Sequence, residues 1–175
     1  MHDIHYLVGG DATSPVGEGP KLILHICNDA GGWGAGFVLA LSKKWSEPEE
    51  EYRKWWEEHK EASGGRLPLG MIQPVSVNQG QDEIIVMNMI AQRGYWRQGF
   101  PPISYDALHH CLSKIASWTI TYSDRFDKPM PTIHMPRIGC GLAGGRWNVV
   151  EALIKNTLIE GGLEVFVYDF KGETE

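Results

Sequence analysis

Twice along the chain, a short apolar run gives way to a cluster of glycines and then to apolar residues at helical spacing. The first instance is Leu22–Cys27, then Asn28-Asp29-Ala30-Gly31-Gly32-Trp33-Gly34-Ala35-Gly36, then a predicted helix over Gly36–Trp45 carried by Phe37, Val38, Leu41 and Trp45. The second is a predicted strand Thr132–Ile138, then Gly139-Cys140-Gly141-Leu142-Ala143-Gly144-Gly145, then a helix over Trp147–Ile159. A strand that hands over to a helix through a tight glycine turn is the repeating unit of a sheet covered by helices, which limits the chain to the α/β class. Glycine accounts for 21 of 175 residues, about 12 % against an average near 7 %. Ten of the 21 sit in these two turns and at Gly9-Gly10.

The remaining segments agree. Ile4–Val8, Leu69–Val77, Ile84–Ala91 and Glu164–Phe170 read as strands. Ser46 and Glu49 have capping-box spacing ahead of a helix from Pro48 to about Glu61, with Tyr52, Trp55, Trp56 and His59 near one face. Ser104 caps a helix to about Tyr122 whose buried stripe is Ala107, Leu108, Cys111, Leu112, Ile115 and Trp118. Gly161-Gly162 stops the last helix. The expected architecture is one domain over residues 1–175, a three-layer α/β/α fold with a central mixed sheet.

Composition narrows the function. A net charge of −6 argues against non-specific binding to nucleic acid or an anionic membrane. Three cysteines (Cys27, Cys111, Cys140) make neither a disulfide framework nor a metal knuckle, and the seven histidines lack ligand spacing, so neither a metal nor a cofactor is expected. The N-terminus has no signal-peptide pattern, and no apolar stretch approaches the ~20 residues that span a bilayer. The expected location is the cytoplasm, and the expected state a monomer.

Glycine turns leave backbone N–H groups bare, and the helix N-terminus behind each adds the positive end of a dipole. Two such turns at the carboxyl ends of strands suit a pyrophosphate. Tight turns that only fill space are the alternative. Gly139 to Gly144 also matches G-x-G-x-x-G, with Asp169 near the place of a ribose-binding acid. That would suggest a dinucleotide-binding oxidoreductase, but the fingerprint normally opens the first βαβ unit and here lies near the end of the chain. A P-loop is excluded, since no glycine turn is followed by Lys-[Ser/Thr].

Gly10-Asp11-Ala12-Thr13, Cys27-Asn28-Asp29 leading into Gly34-Ala35-Gly36, and Met135-Pro136-Arg137-Ile138-Gly139-Cys140-Gly141-Leu142 together resemble the macrodomain family of ADP-ribose-binding modules. The branch they resemble holds the terminal ADP-ribose protein glycohydrolase and its bacterial relatives, and the likeness runs from about Tyr6 to Phe170. It implies that Asp11, beside Ala12, accepts the adenine amino group and that Phe170 packs on adenine. It implies that the N–H groups of Gly34, Ala35, Gly36 and Phe37, and of Gly139, Cys140, Gly141, Leu142 and Ala143, hold the pyrophosphate. Asn28 and Asp29 would lie by the distal ribose.

The catalytic lysine and acid of that branch fall on Ala91 and Ala143, so covalent lysine chemistry is not expected. Hydrolysis of an ADP-ribosyl ester on an acidic side chain would instead use water positioned by Asn28, Asp29, Gln92 or Arg93. A non-catalytic ADP-ribose reader is the alternative. Partners would be ADP-ribose or ADP-ribosylated protein, with nucleic acid only as an ADP-ribosylated substrate and no membrane. Plainer roles stand beside these: Asp11 as a turn residue, Asn28 and Asp29 as an Asx turn, Arg93 in an ion pair, His25 in the core. Trp33, Tyr95 and Trp96 would line a pocket or cover core edges. Cys140 lies in a loop whose anion-binding character would lower its pKa, but no histidine partner is evident and a cysteine nucleophile is not expected.

Overall fold

The computed structural model describes residues 2–95 and 100–169. Six strands, β1 (Ile4–Val8), β2 (Lys21–Asn28), β3 (Ile72–Asn78), β4 (Ile84–Gln92), β5 (Thr132–Met135) and β6 (Val165–Asp169), form one sheet in the order β1-β6-β5-β2-β4-β3. All neighbours pair in parallel except β3, which runs antiparallel to β4 at the edge. The helices are α1 (Phe37–Lys44), α2 (Glu47–His59), α3 (Tyr105–Phe126) and α4 (Trp147–Ile154), the last continued by a π-helical turn over Lys155–Ile159.

Alternate residues of each strand feed two cores. On one face, Ile23 and Cys27 of β2 and Val86 and Ile90 of β4 meet Leu41 of α1 and Tyr52 of α2. On the other, Leu22, Leu24, Met87, Met89, Ile133, Met135, Val165 and Val167 meet α3 and α4. Each fully buried aliphatic side chain contributes about 1.5–3 kcal/mol, so the layers are held mainly by these two faces. The loop over residues 9–19 covers the α1-side surface of β5 and β6, where the Val16 amide donates to the Tyr168 hydroxyl at 2.9 Å and that hydroxyl meets His134 Nδ1 at 2.7 Å.

Several boundaries differ from expectation for local reasons. The predicted strand Thr132–Ile138 ends at Met135, because Pro136 has no N–H for a ladder. The predicted strand Leu69–Val77 is displaced to Ile72–Asn78: Gly70 has φ +89°, and its amide donates to the Ile90 carbonyl ahead of the ladder. The helix expected to stop near Tyr122 runs one turn further, to a left-handed Asp127 at φ 49°. The helix expected over 147–159 is α-helical only to Ile154. Ser46 makes no capping bond; Glu49 Oε1 instead accepts from the Ser42 hydroxyl at 3.3 Å. Ser104 does cap α3, accepting from the Ala107 amide at 3.2 Å. Its stripe is buried as expected except at Trp118, which is half-buried and packs against the core from outside.

Connections from the central strands diverge. From β2 the chain crosses over one face, through α1 and α2, toward the β4 side; from β5 it crosses the other face, through α4, to β6. The gap between their carboxyl ends is therefore a topological switch point, the standard place for a ligand crevice in an open α/β sheet. Both glycine loops begin there.

Candidate functional site

The first glycine loop is folded by Asn28. Its Oδ1 accepts from the Ala30 amide at 2.9 Å, the Gly32 amide at 3.0 Å and the Tyr52 hydroxyl at 3.0 Å, while its Nδ2 donates to the Gly32 carbonyl at 2.9 Å. The first of these contacts is an Asx turn. Every polar atom of the side chain is thus engaged, by the loop itself and by Tyr52 of α2. A one-residue bulge in β4 between the Cys27 and Asn28 pairings leaves Asn28 opposite Gln92. Gln92 Nε2 in turn donates to the Gly94 carbonyl at 2.8 Å.

Asp29 is buried, and its carboxylate accepts from the Gly94 amide at 2.7 Å and from Arg66 Nη1 at 3.3 Å to each oxygen. Of the four side chains expected to position water, three are therefore bound to the protein itself. Arg93 is exposed and, among the described residues, its guanidinium has no partner. Ala91 is fully buried in the α3-side core, and Ala143 is buried with its carbonyl accepting from the Ile103 amide at 3.1 Å.

The glycines divide into two kinds. A Cβ on Gly31 would sit 2.5 Å from the Trp56 ring, and one on Gly32 would collide with the Tyr95 hydroxyl; one on Gly145 would lie 2.5 Å from the Gly139 carbonyl oxygen. These are positions of close packing. Gly34 and Gly141 face open space, while Gly36, at φ +84°, faces Leu142 of the second loop, 3.5 Å from where its Cβ would stand. The open glycines lie where the loops confront one another.

The amides at that confrontation are free. Among the described residues, the N–H groups from Trp33 to Val38 have no acceptor, and those of Gly141, Leu142 and Ala143 have none either. The second loop is closed by its own backbone, Gly145 N–H to Gly139 O at 2.6 Å and Gly144 N–H to Gly141 O at 3.0 Å. Bare amides of this kind, one arc of them at the N-terminus of α1, are the donors that an anion would require.

Asp11 lies at the β1 end of the same sheet edge, exposed above buried Ala12 and Thr13. Its Oδ1 accepts from both the amide and the hydroxyl of Thr13 at 2.8 Å, and among the described residues Oδ2 has no partner. Phe170 and Trp96 lie outside the described residues. Trp33 is buried and donates to the Ser42 hydroxyl at 2.8 Å, so it belongs to the core, not to a pocket wall. Tyr95 is exposed and leans over Gly32.

Asp169 is not available to a ribose. Its carboxylate is paired with Arg137, Nε at 2.6 Å and Nη2 at 3.1 Å. His25 is a core residue bonded to Asn88, and burial pushes its pKa down to about 4. The Cys140 thiol is pushed up by burial, against a smaller opposing effect of Arg137, so its loop does not lower its pKa and a nucleophilic thiolate is disfavoured, as expected. Among the described residues no three of His, Cys, Asp and Glu stand close enough together to hold a metal ion, and no helix is long and apolar enough to cross a membrane.

This geometry has known counterparts, although no family model matches the chain. A Bacteroides thetaiotaomicron protein of unknown function superposes with a TM-score of 0.81 at 48 % identity, covering 96 % of this chain and 98 % of that one. A macrodomain protein from Streptomyces coelicolor superposes with a TM-score of 0.72 at 41 % identity, covering 95 % and 99 %. Among curated sequences, the mouse chromodomain-helicase-DNA-binding protein 1-like is 29 % identical over 93 % of this chain, which spans only 17 % of that protein's length. The ADP-ribose 1''-phosphate phosphatase of Candida albicans is 24 % identical over 87 % of this chain and 92 % of its own.

Proposed function

The chain belongs to the macrodomain family, and from that premise we propose that it binds ADP-ribose and hydrolyses ADP-ribosyl esters on acidic protein side chains. The observation that carries the binding half is the pair of facing amide arcs, Trp33–Val38 and Gly141–Ala143, at the switch point between β2 and β5. A pyrophosphate there would receive several N–H donors at once, with adenine toward Asp11 Oδ2. The protein would act as a single-domain monomer with no cofactor, in the cytoplasm.

For cleavage, an ester to the anomeric carbon already carries a good leaving group, so the protein need only orient water and hold the substrate rigidly. Loop amides can do the holding. Isothermal titration with ADP-ribose tests binding: the expected result is a one-to-one isotherm, and no heat at millimolar ligand overturns the reading. Incubation with glutamate-ADP-ribosylated protein, with free ADP-ribose as readout, tests hydrolysis.

A second reading, a reader that binds without turnover, is favoured by the internal engagement of Asn28, Asp29 and Gln92. It predicts tight binding and no product from ester, O-acetyl or 1''-phosphate substrates. The oxidoreductase alternative loses support because Asp169 is held by Arg137.

A further inference from the structure

The carboxyl edge of the sheet has a direction. In strand order it presents Asp11 after β1, the second glycine loop after β5, the first after β2, and then the segment after β4. Adenine at Asp11 and pyrophosphate between the loops leave the distal ribose, and whatever is attached to it, pointing past β2 toward β4. There the surface opens into a cleft of about 420 Å³ whose walls include Arg66, Arg93, Tyr95 and Phe100.

That cleft is built. Ile103 at its floor packs against Gly139 and Gly145, so it adjoins the second glycine loop directly. Gly94 is pinned to Asp29, and Tyr95 rests on Gly32, which fixes its wall to the first loop. Arg66 gives one nitrogen to Asp29 and is half-exposed, while Arg93 has no carboxylate partner among the described residues. Two guanidinium groups against one carboxylate leave a local positive charge on a chain of net charge −6. Tyr95 and Phe100 are 61 % and 75 % exposed, a large aromatic surface to leave facing water.

We propose that this cleft is the carrier subsite, and that it selects an acidic peptide segment flanking the ADP-ribosylated residue. The placement rests on the ADP-ribose reading above. Guanidinium forks match carboxylates in bidentate geometry, and the exposed rings give the peptide backbone a face to lie on. A nucleic-acid carrier would call for a longer basic track, since its charge repeats at every nucleotide, and the chain's acidic balance works against one.

The test measures binding of two synthetic peptides, each bearing ADP-ribose on a serine through a stable glycosidic bond, one flanked by glutamates and one by glutamines. Free ADP-ribose is titrated alongside. Wild-type protein is expected to favour the glutamate peptide by about fivefold, a preference that shrinks as salt rises. Arg93→Glu is expected to abolish or reverse this preference, read as the ratio of the two peptide affinities within the variant, and a thermal melt like that of wild type reports a folded variant. Equal affinity of wild type for the two peptides overturns the proposal, as does a preference that survives Arg93→Glu. Tighter binding of an ADP-ribosylated single-stranded oligonucleotide than of the glutamate peptide overturns it in favour of a nucleic-acid carrier. If free ADP-ribose itself fails to bind, the underlying reading falls and the subsite falls with it, an outcome distinct from the other three.

Discussion

The Gly94 amide donates to the Asp29 carboxylate at 2.7 Å across 65 residues of sequence, and this bond joins the turn after β2 to the turn after β4. With Arg66 on the same carboxylate and the Leu67 amide donating to the Asp29 carbonyl at 2.8 Å, one buried residue ties three segments around the crevice. Its role is therefore positional. Asp29→Ala leaves the Gly94 amide unsatisfied, and is expected to cost about 1–3 kcal/mol of stability in urea denaturation. A general base would lose only turnover when replaced, with the denaturation midpoint unchanged.

The two kinds of glycine separate experimentally. Gly31→Ala forces a Cβ into the Trp56 ring at a left-handed backbone position, and should destabilise by about 2–4 kcal/mol. Gly34→Ala meets open space and should stay within about 0.5 kcal/mol of wild type. Thermal melts of the pair decide it; equal midpoints would show that the packing at Gly31 is not as described.

Asp11 has two jobs that one substitution pair can part. Asp11→Asn keeps an oxygen for the Thr13 amide and hydroxyl, so the turn survives while the charge is lost. Asp11→Ala loses both. Affinity for ADP-ribose should fall in the asparagine variant and fall further in alanine, by about 1–3 kcal/mol overall. Ribose 5-phosphate, which lacks adenine, should bind all three proteins alike. A parallel loss for ribose 5-phosphate would mean that Asp11 acts on the fold of the site and not on the base.

Two buried histidines make the protein acid-sensitive. Burial holds His25 down to about 4 and His134 down to about 3, the latter with help from Lys21, against an ordinary 6.5. Below pH 6.5 the unfolded chain binds protons that the folded chain refuses. Stability is therefore full above about pH 6.5 and declines below it by about 1.4 kcal/mol per pH unit for each histidine, until the pH reaches the folded values. Urea titrations at a series of pH values should show this slope, and His25→Gln should shallow it. Identical slopes for variant and wild type would remove His25 as a source.

The Cys140 thiol, raised by burial, should react slowly with iodoacetamide at pH 7.5, and Cys140→Ser should leave any turnover intact. Rapid modification of this residue alone would indicate an activated thiolate.

Much of the architecture was legible in the residues themselves. Alternating strand and helix patterns, the two glycine loops and the core histidine at position 25 all follow from local periodicity and turn chemistry. What local pattern could not supply was pairing. The strand order, the antiparallel run of β3 and the bulge that sets Asn28 opposite Gln92 depend on contacts between distant segments. The same holds in the site: Asn28-Asp29 looks chemically free in sequence, yet its partners Tyr52, Arg66 and Gly94 come from 24 to 65 positions away. No motif marks Arg66, whose role rests on its contact with a residue 37 positions away. The division of the glycines was equally hidden, because Trp56, Tyr95 and Ile103 are what make some of them obligatory.

The second loop is closed on itself by the Gly145–Gly139 and Gly144–Gly141 backbone bonds, and the first is wound around Asn28. Neither loop has to be gathered up when a ligand arrives, so the entropy of ordering them is spent during folding. Capture should accordingly proceed at a rate set by diffusion and orientation, nearly the same in every variant of the amide arcs. Differences in affinity among such variants should appear as differences in how long the ligand stays.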